Sequence, residues 1–239
     1  MPIENLPNLR TRIKMCGLTR PQDVDDAVTV GADAVGFVLY PPSPRAVTPQ
    51  RAAELARRLP PFVLPVLLFV NADDVLLAQA YAALPQALWQ FHGDEIPARC
   101  NAVTANGTQA YLRAARLSLE QVPGQPVREA GGADLLQFCK DFSSARAILL
   151  DAQVDGYGGG GKAFDWSLVP TNVDAHLVLS GGLTPANVGD GVRLLRPRCK
   201  SLSVDVSSGI ESAKGVKDAG KMRAFVAAVR AADADLHAI

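Results

Sequence analysis

The chain has 239 residues, enough for one large domain with a sizeable core, and 48% of them are hydrophobic. Lys plus Arg and Asp plus Glu number 24 each. That balance excludes a global basic field able to hold a nucleic acid or an anionic membrane, while leaving room for a local anion site.

Strand-like and helix-like stretches alternate along the chain. Residues 12–16 (RIKMC) form a short strand ending at Gly17, followed by a helix over 21–30 with Thr19 as its expected cap and Gly31 as its stop. Residues 34–39 (AVGFVL) are the second strand, bounded by Pro41 and Pro42. Thr48 caps a helix over 49–59 with Pro49 in its first turn. Residues 64–70 (LPVLLFV) are the third strand, 73–83 a helix and 87–91 the fourth strand. A helix over 95–103 is limited by Pro97, and 111–117 (YLRAARL) is the fifth strand. The Pro- and Gly-rich stretch 118–132 gives no clear element, and 133–140 supplies the fifth helix. Strands over 145–151, 177–180 and 201–205 complete the set, with helices over 185–194 and 217–231.

Eight such strands, each followed by helix, imply parallel pairing through βαβ crossovers, and their near-continuous apolar runs fit sheets buried on both faces. A single-domain (β/α)₈ TIM barrel over residues 12–239 is the expected fold. Residues 1–11 are expected to form a flexible N-terminal extension, and a doubly wound open sheet is the rival architecture. Cys16, Cys100, Cys139 and Cys199 lie far apart without metal-ligand spacing, so neither a zinc site nor a disulfide framework is expected. Residues 1–12 carry no secretory h-region. The most apolar stretch, 59–70, is interrupted by three prolines and is too short to span a bilayer. The chain therefore reads as soluble and cytoplasmic.

In a barrel of this kind chemistry sits at the C-terminal ends of the strands. Those ends carry Cys16, Arg45, Gln90, His92, Asp151, Gly181–Gly182 and the run from Asp205 through Ser207 and Ser208 to Gly209. Cys16 is either a small buried hydrophobe or a base, and a base must be a thiolate whose site lowers its pKa. Asp151 either caps the next loop or acts as an acid, and the glycine-rich loop 156–162 beyond it suits closure over a substrate. The turns at Gly181–Gly182 and Ser207–Ser208 are either ordinary turns or backbone donors for phosphate oxygens. Their position after the seventh and eighth strands favours a phosphate site, with a short helix after the eighth strand adding its positive end. Arg45, in a proline-stiffened loop, is a surface charge or a fork for a carboxylate. His92 is a satisfied core histidine or a ligand contact.

The stretches K-M-C-G-L-T (14–19), G-A-D-A-V-G-F-V (31–38), Y-P-P-S-P-R (40–45), Q-F-H-G-D-E (90–95), L-L-D (149–151), G-G-G-K-A-F-D-W (159–166), L-S-G-G-L-T-P-x-N-V (179–188) and V-D-V-S-S-G-I-E (204–211) together resemble the phosphoribosylanthranilate isomerase family of tryptophan biosynthesis. The resemblance runs through nearly the whole chain in family order. It implies a TIM barrel that converts N-(5-phosphoribosyl)anthranilate to its 1-deoxyribulose isomer by an Amadori rearrangement, without cofactor or metal. It places the base on Cys16, the acid on Asp151, the carboxylate-binding arginine on Arg45 and the phosphate loops on Gly181, Gly182, Ser207 and Ser208, with His92 and Asp205 lining the site. The implied partner is a small phosphoribosyl substrate, with no nucleic acid or membrane, in a monomer or homodimer. Trp89 and Phe91 depart from the family's smaller aliphatics around Gln90, which bears on packing. Stretch 96–144 matches no family motif. Two readings compete: the related histidine-pathway isomerase, which uses a pair of aspartates, and a non-catalytic phosphate-binding barrel, which has no use for both Cys16 and Asp151.

Overall fold

The computed structural model describes residues 10–117, 134–152 and 165–237. Its elements in chain order are β1 (Arg12–Cys16), α1 (Pro21–Thr29), β2 (Ala34–Val38), α2 (Pro49–Ala56), β3 (Leu64–Phe69), α3 (Asp74–Ala83), β4 (Leu88–Phe91), α4 (Pro97–Val103) and β5 (Tyr111–Leu117). There follow α5 (Leu135–Asp141), β6 (Ala147–Ala152), β7 (Val173–Leu179), α6 (Val188–Leu195), β8 (Cys199–Val206), the short strands β9 (Glu211–Ala213) and β10 (Val216–Lys217), and α7 (Ala219–His237). Strands β1 to β8 pair in order and β8 pairs back to β1, all parallel, which closes the barrel and removes the open-sheet alternative. No helix among the described residues is long and apolar enough to cross a membrane.

Alternate residues of a strand point to opposite faces, and the burial pattern separates the two. Ile13 and Met15 of β1 join the main core between sheet and helices, with Phe37, Leu67, Phe69, Phe91 and Leu117. Cys16 faces the other way and packs with Val38, Leu68 and Val70, while Ala114, Leu149 and Val178 form a third cluster. These two small clusters are the barrel interior, and the polar side chains of the mouth stand on the same face. Trp89 and Phe91 pack edge-on, centroids 6.0 Å apart, beside Phe69 and Tyr111. The unusual bulk around Gln90 therefore faces outward into helix packing.

Several boundaries differ from expectation for local reasons. Thr48 caps as expected, accepting from Arg51 N–H, and Asp73, expected as the first residue of its helix, is the cap before it, accepting from Leu76 N–H. Thr19 does not cap α1: its hydroxyl donates to Gly215 O at 3.2 Å, and Arg20 takes the cap position with its guanidinium on Asp23. Helix α2 stops at Ala56, three residues early, in a turn closed by Leu59 N–H on Ala56 O. After β8 the expected short helix is a single 3₁₀ turn, Ser208–Ile210. The expected start of the last helix at residue 217 is instead β10 of a two-stranded hairpin. Asp218 then accepts from Lys221 N–H and opens α7 at Ala219. Stretch 118–132 and the glycine loop 156–162 lie outside the described residues.

Candidate active site

Because all eight strands run the same way, their C-terminal ends share one rim. Cys16 closes β1 there, buried, opposite Gly36 of β2. Two positions earlier on the same face, Lys14 is buried and its Nζ lies 2.9 Å from Asp205 Oδ1, its register partner on β8. Burial pulls the Lys14 ammonium down, but Asp205 and Cys16 outweigh it, so Lys14 sits above its ordinary value.

Burial pushes the Cys16 thiol up, opposed chiefly by Lys14, while Asp205 adds to the rise and Lys217 counters it. Thus the free cavity does not by itself meet the expectation of a lowered thiol; the cost of desolvating a thiolate exceeds the field of the nearby cations. Cys100, Cys139 and Cys199 are likewise pushed up, to about 11, mainly by burial. Among the described residues, no buried lysine acts on any of those three.

Arg45 lies just past β2, and both atoms of its side edge are occupied. Nε and Nη2 donate to Glu211 Oε1 and Oε2, each at 2.7 Å. Lys217 in turn donates to Glu211 Oε1 at 2.9 Å and to the backbone oxygen of Ser207 at 2.9 Å. Burial raises Glu211, but hydrogen bonds from Arg45 and Lys217 dominate and hold its carboxyl below the ordinary range. A guanidinium has a second edge, formed by Nη1 and the other Nη2 hydrogen, and that edge remains for a carboxylate.

Across the mouth stands a chain with few charges. Gln90 Nε2 lies 3.0 Å from His92 Nδ1, and His92 Nε2 lies 2.9 Å from Asp151 Oδ2 at the end of β6. With the amide nitrogen donating to Nδ1, the ring carries its proton on Nε2 and donates to the Asp151 carboxylate. Gln90 Oε1 is buried with no partner among the described residues. Turning the amide by 180° lets Oε1 accept from Nδ1–H, and Nε2 can then accept from a protonated Asp151. The chain therefore serves either protonation state of the carboxyl.

The loops after β7 and β8 lie between these two sides. Gly181 and Gly182 have φ of +78° and +65°, a region that favours glycine. A side chain on Gly181 would meet Ala152 N at 2.7 Å and Asp151 Oδ1 at 2.8 Å, so the placement of Asp151 needs glycine there as well as the turn does. Asn187 latches the loop by donating to Gly182 O at 3.0 Å and accepting from Thr184 N–H at 2.8 Å. Ser207 is drawn to the Arg45 side through Lys217, and Ser208 begins the 3₁₀ turn.

The structure thus brings every singled-out residue to one rim: Cys16, Asp205, Arg45 and Ser207 on one side, His92 and Asp151 on the other, with Gly181, Gly182 and Ser208 between. Sequence reasoning missed Lys14, Glu211, Lys217 and Asn187. Three of them lie inside quoted motifs and Lys217 lies six residues beyond one; Lys14 and Glu211 act through partners distant in sequence, Asp205 and Arg45, while Asn187 and Lys217 bond within their own loops.

The family model for N-(5'phosphoribosyl)anthranilate (PRA) isomerase matches residues 13–228. An N-(5'-phosphoribosyl)anthranilate isomerase of Methylibium petroleiphilum is 60% identical over 226 residues, covering 95% of this chain and 97% of that protein. The protein of the same name from Leptothrix cholodnii is 58% identical over 225 residues, 94% of this chain and 93% of its own length. Among solved structures, the phosphoribosyl anthranilate isomerase of Thermotoga maritima superposes with a TM-score of 0.77 at 34% identity, over 92% of this chain and 99% of that one. A phosphoribosyl anthranilate isomerase in complex with reduced 1-(o-carboxyphenylamino)-1-deoxyribulose 5-phosphate superposes at 0.74 with 31% identity, over the same shares. With the match running from the first barrel strand into the last helix, the chain belongs to the N-(5'-phosphoribosyl)anthranilate isomerase family.

Proposed function

We propose that Cys16 and Asp151 are the base and acid of an Amadori rearrangement of N-(5'-phosphoribosyl)anthranilate, with Arg45 on the anthranilate carboxylate and the loops after β7 and β8 on the phosphate. The observation that carries this reading is the placement of the two proton-transfer groups on β6 and β1 with only β7 and β8 between them. A substrate whose phosphate sits on those two loops has its ribose held between acid and base, and positioning of this kind lowers the barrier substantially.

The furanose C–O bond breaks as Asp151 protonates the ring oxygen, giving a ring-opened protonated imine. The positive nitrogen acidifies the C2 proton, which Cys16 removes as thiolate; the enolamine then tautomerises to the ketone. Asp151 must begin protonated, and the reversible Gln90–His92 chain gives that form a hydrogen-bond acceptor. Cys16 must begin ionised against the pull of burial. We further assign the free edge of Arg45 to the carboxylate, the Glu211 pair fixing its plane. His92 and Asp205 line the cavity through their bonds to Asp151 and Lys14.

We place the chain in the cytoplasm, with a small phosphoribosyl substrate as its partner, no nucleic acid, and a monomeric or homodimeric state. A structural relative from Thermotoga maritima is described as a dimer from which monomers were generated. The test is the loss of phosphoribosylanthranilate fluorescence on adding the purified chain. Turnover supports the reading; saturable binding of the reduced product without turnover leaves a phosphate-ligand barrel and ends it.

A further inference from the structure

We propose that Lys14 is a positioning residue for the base: held by Asp205, it stands beside Cys16 and keeps the thiolate available for proton abstraction. This rests on Cys16 being the base.

The placement follows from strand register. Lys14 and Cys16 are i and i+2 on β1, so their side chains leave the same face of the strand. The Lys14 chain is pinned on one flank by Asp205, whose Oδ1 lies 2.9 Å from Nζ and whose residue is its register partner on β8. On the other flank is β2, where Gly36 pairs with Cys16. A Cβ on Gly36 would lie 2.7 Å from Cys16 Sγ and 3.1 Å from both Lys14 Cε and Nζ. Thiol and ammonium thus share one slot over a strand position that has no side chain, and any larger residue at 36 would drive them apart.

The energetics give this placement a purpose. Lys14 is 5% exposed and Cys16 4%. In so dry a place an ammonium without a counter-charge would give up its proton, and a thiolate without a cation would take one. Asp205 keeps Lys14 charged; Lys14 is the leading influence opposing the burial of Cys16. The other charges that face the thiol are accounted for. Lys217 of the β9–β10 hairpin favours the thiolate more weakly, and Asp205 disfavours it. Arg45 also feels Cys16, but its side edge is committed to Glu211. Among the described residues, Lys14 gives one of its three ammonium donors to Asp205 and keeps the others at hand for the sulfur, whereas Lys217 spends its donors on Glu211 and Ser207.

The test is a thiolate titration of Cys16 by absorbance near 240 nm, taken as the difference between each protein and the same protein with Cys16→Ser, alongside kcat and product affinity. In Lys14→Met the Cys16 titration should move up by about one pH unit or more. At neutral pH kcat should fall at least about tenfold, and product affinity should change less than about twofold. Lys14→Arg should recover most of the titration shift. Because Lys14→Met leaves Asp205 buried and unpaired, Lys14→Met with Asp205→Asn is measured as well; with both charges gone the thiol should still titrate above wild type. An unchanged Cys16 titration in a folded Lys14→Met or in the double variant overturns the proposal. If the titration shifts and kcat does not, the role of Lys14 on the thiol stands and Cys16 is not the base.

Discussion

At the N-terminal end of the barrel, Asp233 of α7 accepts from Thr11 N–H at 3.1 Å, from the Thr11 hydroxyl at 2.5 Å and from Arg230 at 3.0 Å. Nearby, Asp33 accepts from Ile13 N–H at 2.9 Å and pairs with Arg10, Arg12 and Arg230. At the C-terminal end, Glu211, Asp205 and Asp151 are buried like Asp233, yet each belongs to a set with hydrogen-bonding capacity to spare: the outer edge of Arg45, the ammonium of Lys14 and, reached through His92, the Gln90 oxygen. Similar residue types clamp strand to helix at one end and make an open clamp at the other. The first set ties the start of the barrel to α7, whereas unfilled capacity at the mouth is what a substrate can complete, so a change at each end should register in a different measurement.

The largest effect sought is on chemistry alone. Cys16→Ser replaces a potential thiolate with a hydroxyl that does not ionise near neutral pH, and Asp151→Asn keeps shape but cannot donate a carboxylic proton. Each should lower kcat at least about a hundredfold while leaving product affinity near wild type, because a positioned acid or base supplies roughly 10²–10⁴-fold and the anchors remain. Single-turnover kinetics with a product titration decides it. Near-normal turnover in either variant removes that residue from its role, and joint loss of binding and turnover makes it structural. The wild-type pH profile should be bell-shaped, its limbs belonging to the coupled site.

At the opposite end the signature should invert. Asp233→Ala strips the partners from a buried backbone N–H and from the Thr11 hydroxyl, which costs about 2 kcal/mol or more. For a chain of this size that is a fall in Tm of roughly 4–8 °C, with kcat at 25 °C unchanged. A variant that keeps its Tm but loses kcat would erase the distinction between the two ends.

The contrast between the ends also marks what the sequence could say. The eight strands were legible because most parallel strands buried on both faces read as near-continuous apolar runs, AVGFV and LPVLLF among them. Cys16 and Asp151 were legible because a reactive side chain ending such a run stands out. Helix ends were less so: Thr19 has the composition of a cap, but a tertiary contact to Gly215 takes its hydroxyl. The hairpin at Glu211–Lys217 was misread because V-K-D continues smoothly into a helical pattern, and only pairing across Gly215 shows the turn. Lys14, Glu211 and Lys217 went unassigned because a buried ion pair has no local signature. Arg45 and Glu211 are 166 positions apart.

Arg45→Lys sharpens the comparison on the open side. An ammonium can satisfy Glu211 or reach the substrate carboxylate, but it cannot present two planar edges at once. KM should rise about tenfold with a much smaller change in kcat, consistent with loss of interaction shared by ground and transition states. Steady-state kinetics with unchanged KM would take Arg45 away from the carboxylate.

The smallest effect is the most specific to the open clamp. Glu211 sits between Arg45 and Lys217, and its carboxyl is held below its ordinary value of 4.5 despite burial. A carboxyl lowered on folding contributes stability that is fully present above its unfolded value and is lost as pH falls through the lower folded value. Glu211→Gln cannot titrate and leaves two cations facing a neutral amide, so at pH 7 it should melt below wild type. As pH falls below about 4.5 the wild type progressively loses this contribution and the variant has none to lose. The gap between their melting temperatures should therefore narrow between pH 7 and about pH 3.5. Other acidic groups titrate in the same window but do so in both proteins, so the difference isolates residue 211. Paired thermal melts across that range are sufficient. A gap that stays constant with pH would mean that Glu211 gains nothing from its two cations on folding, and that Arg45 is held in place by packing instead.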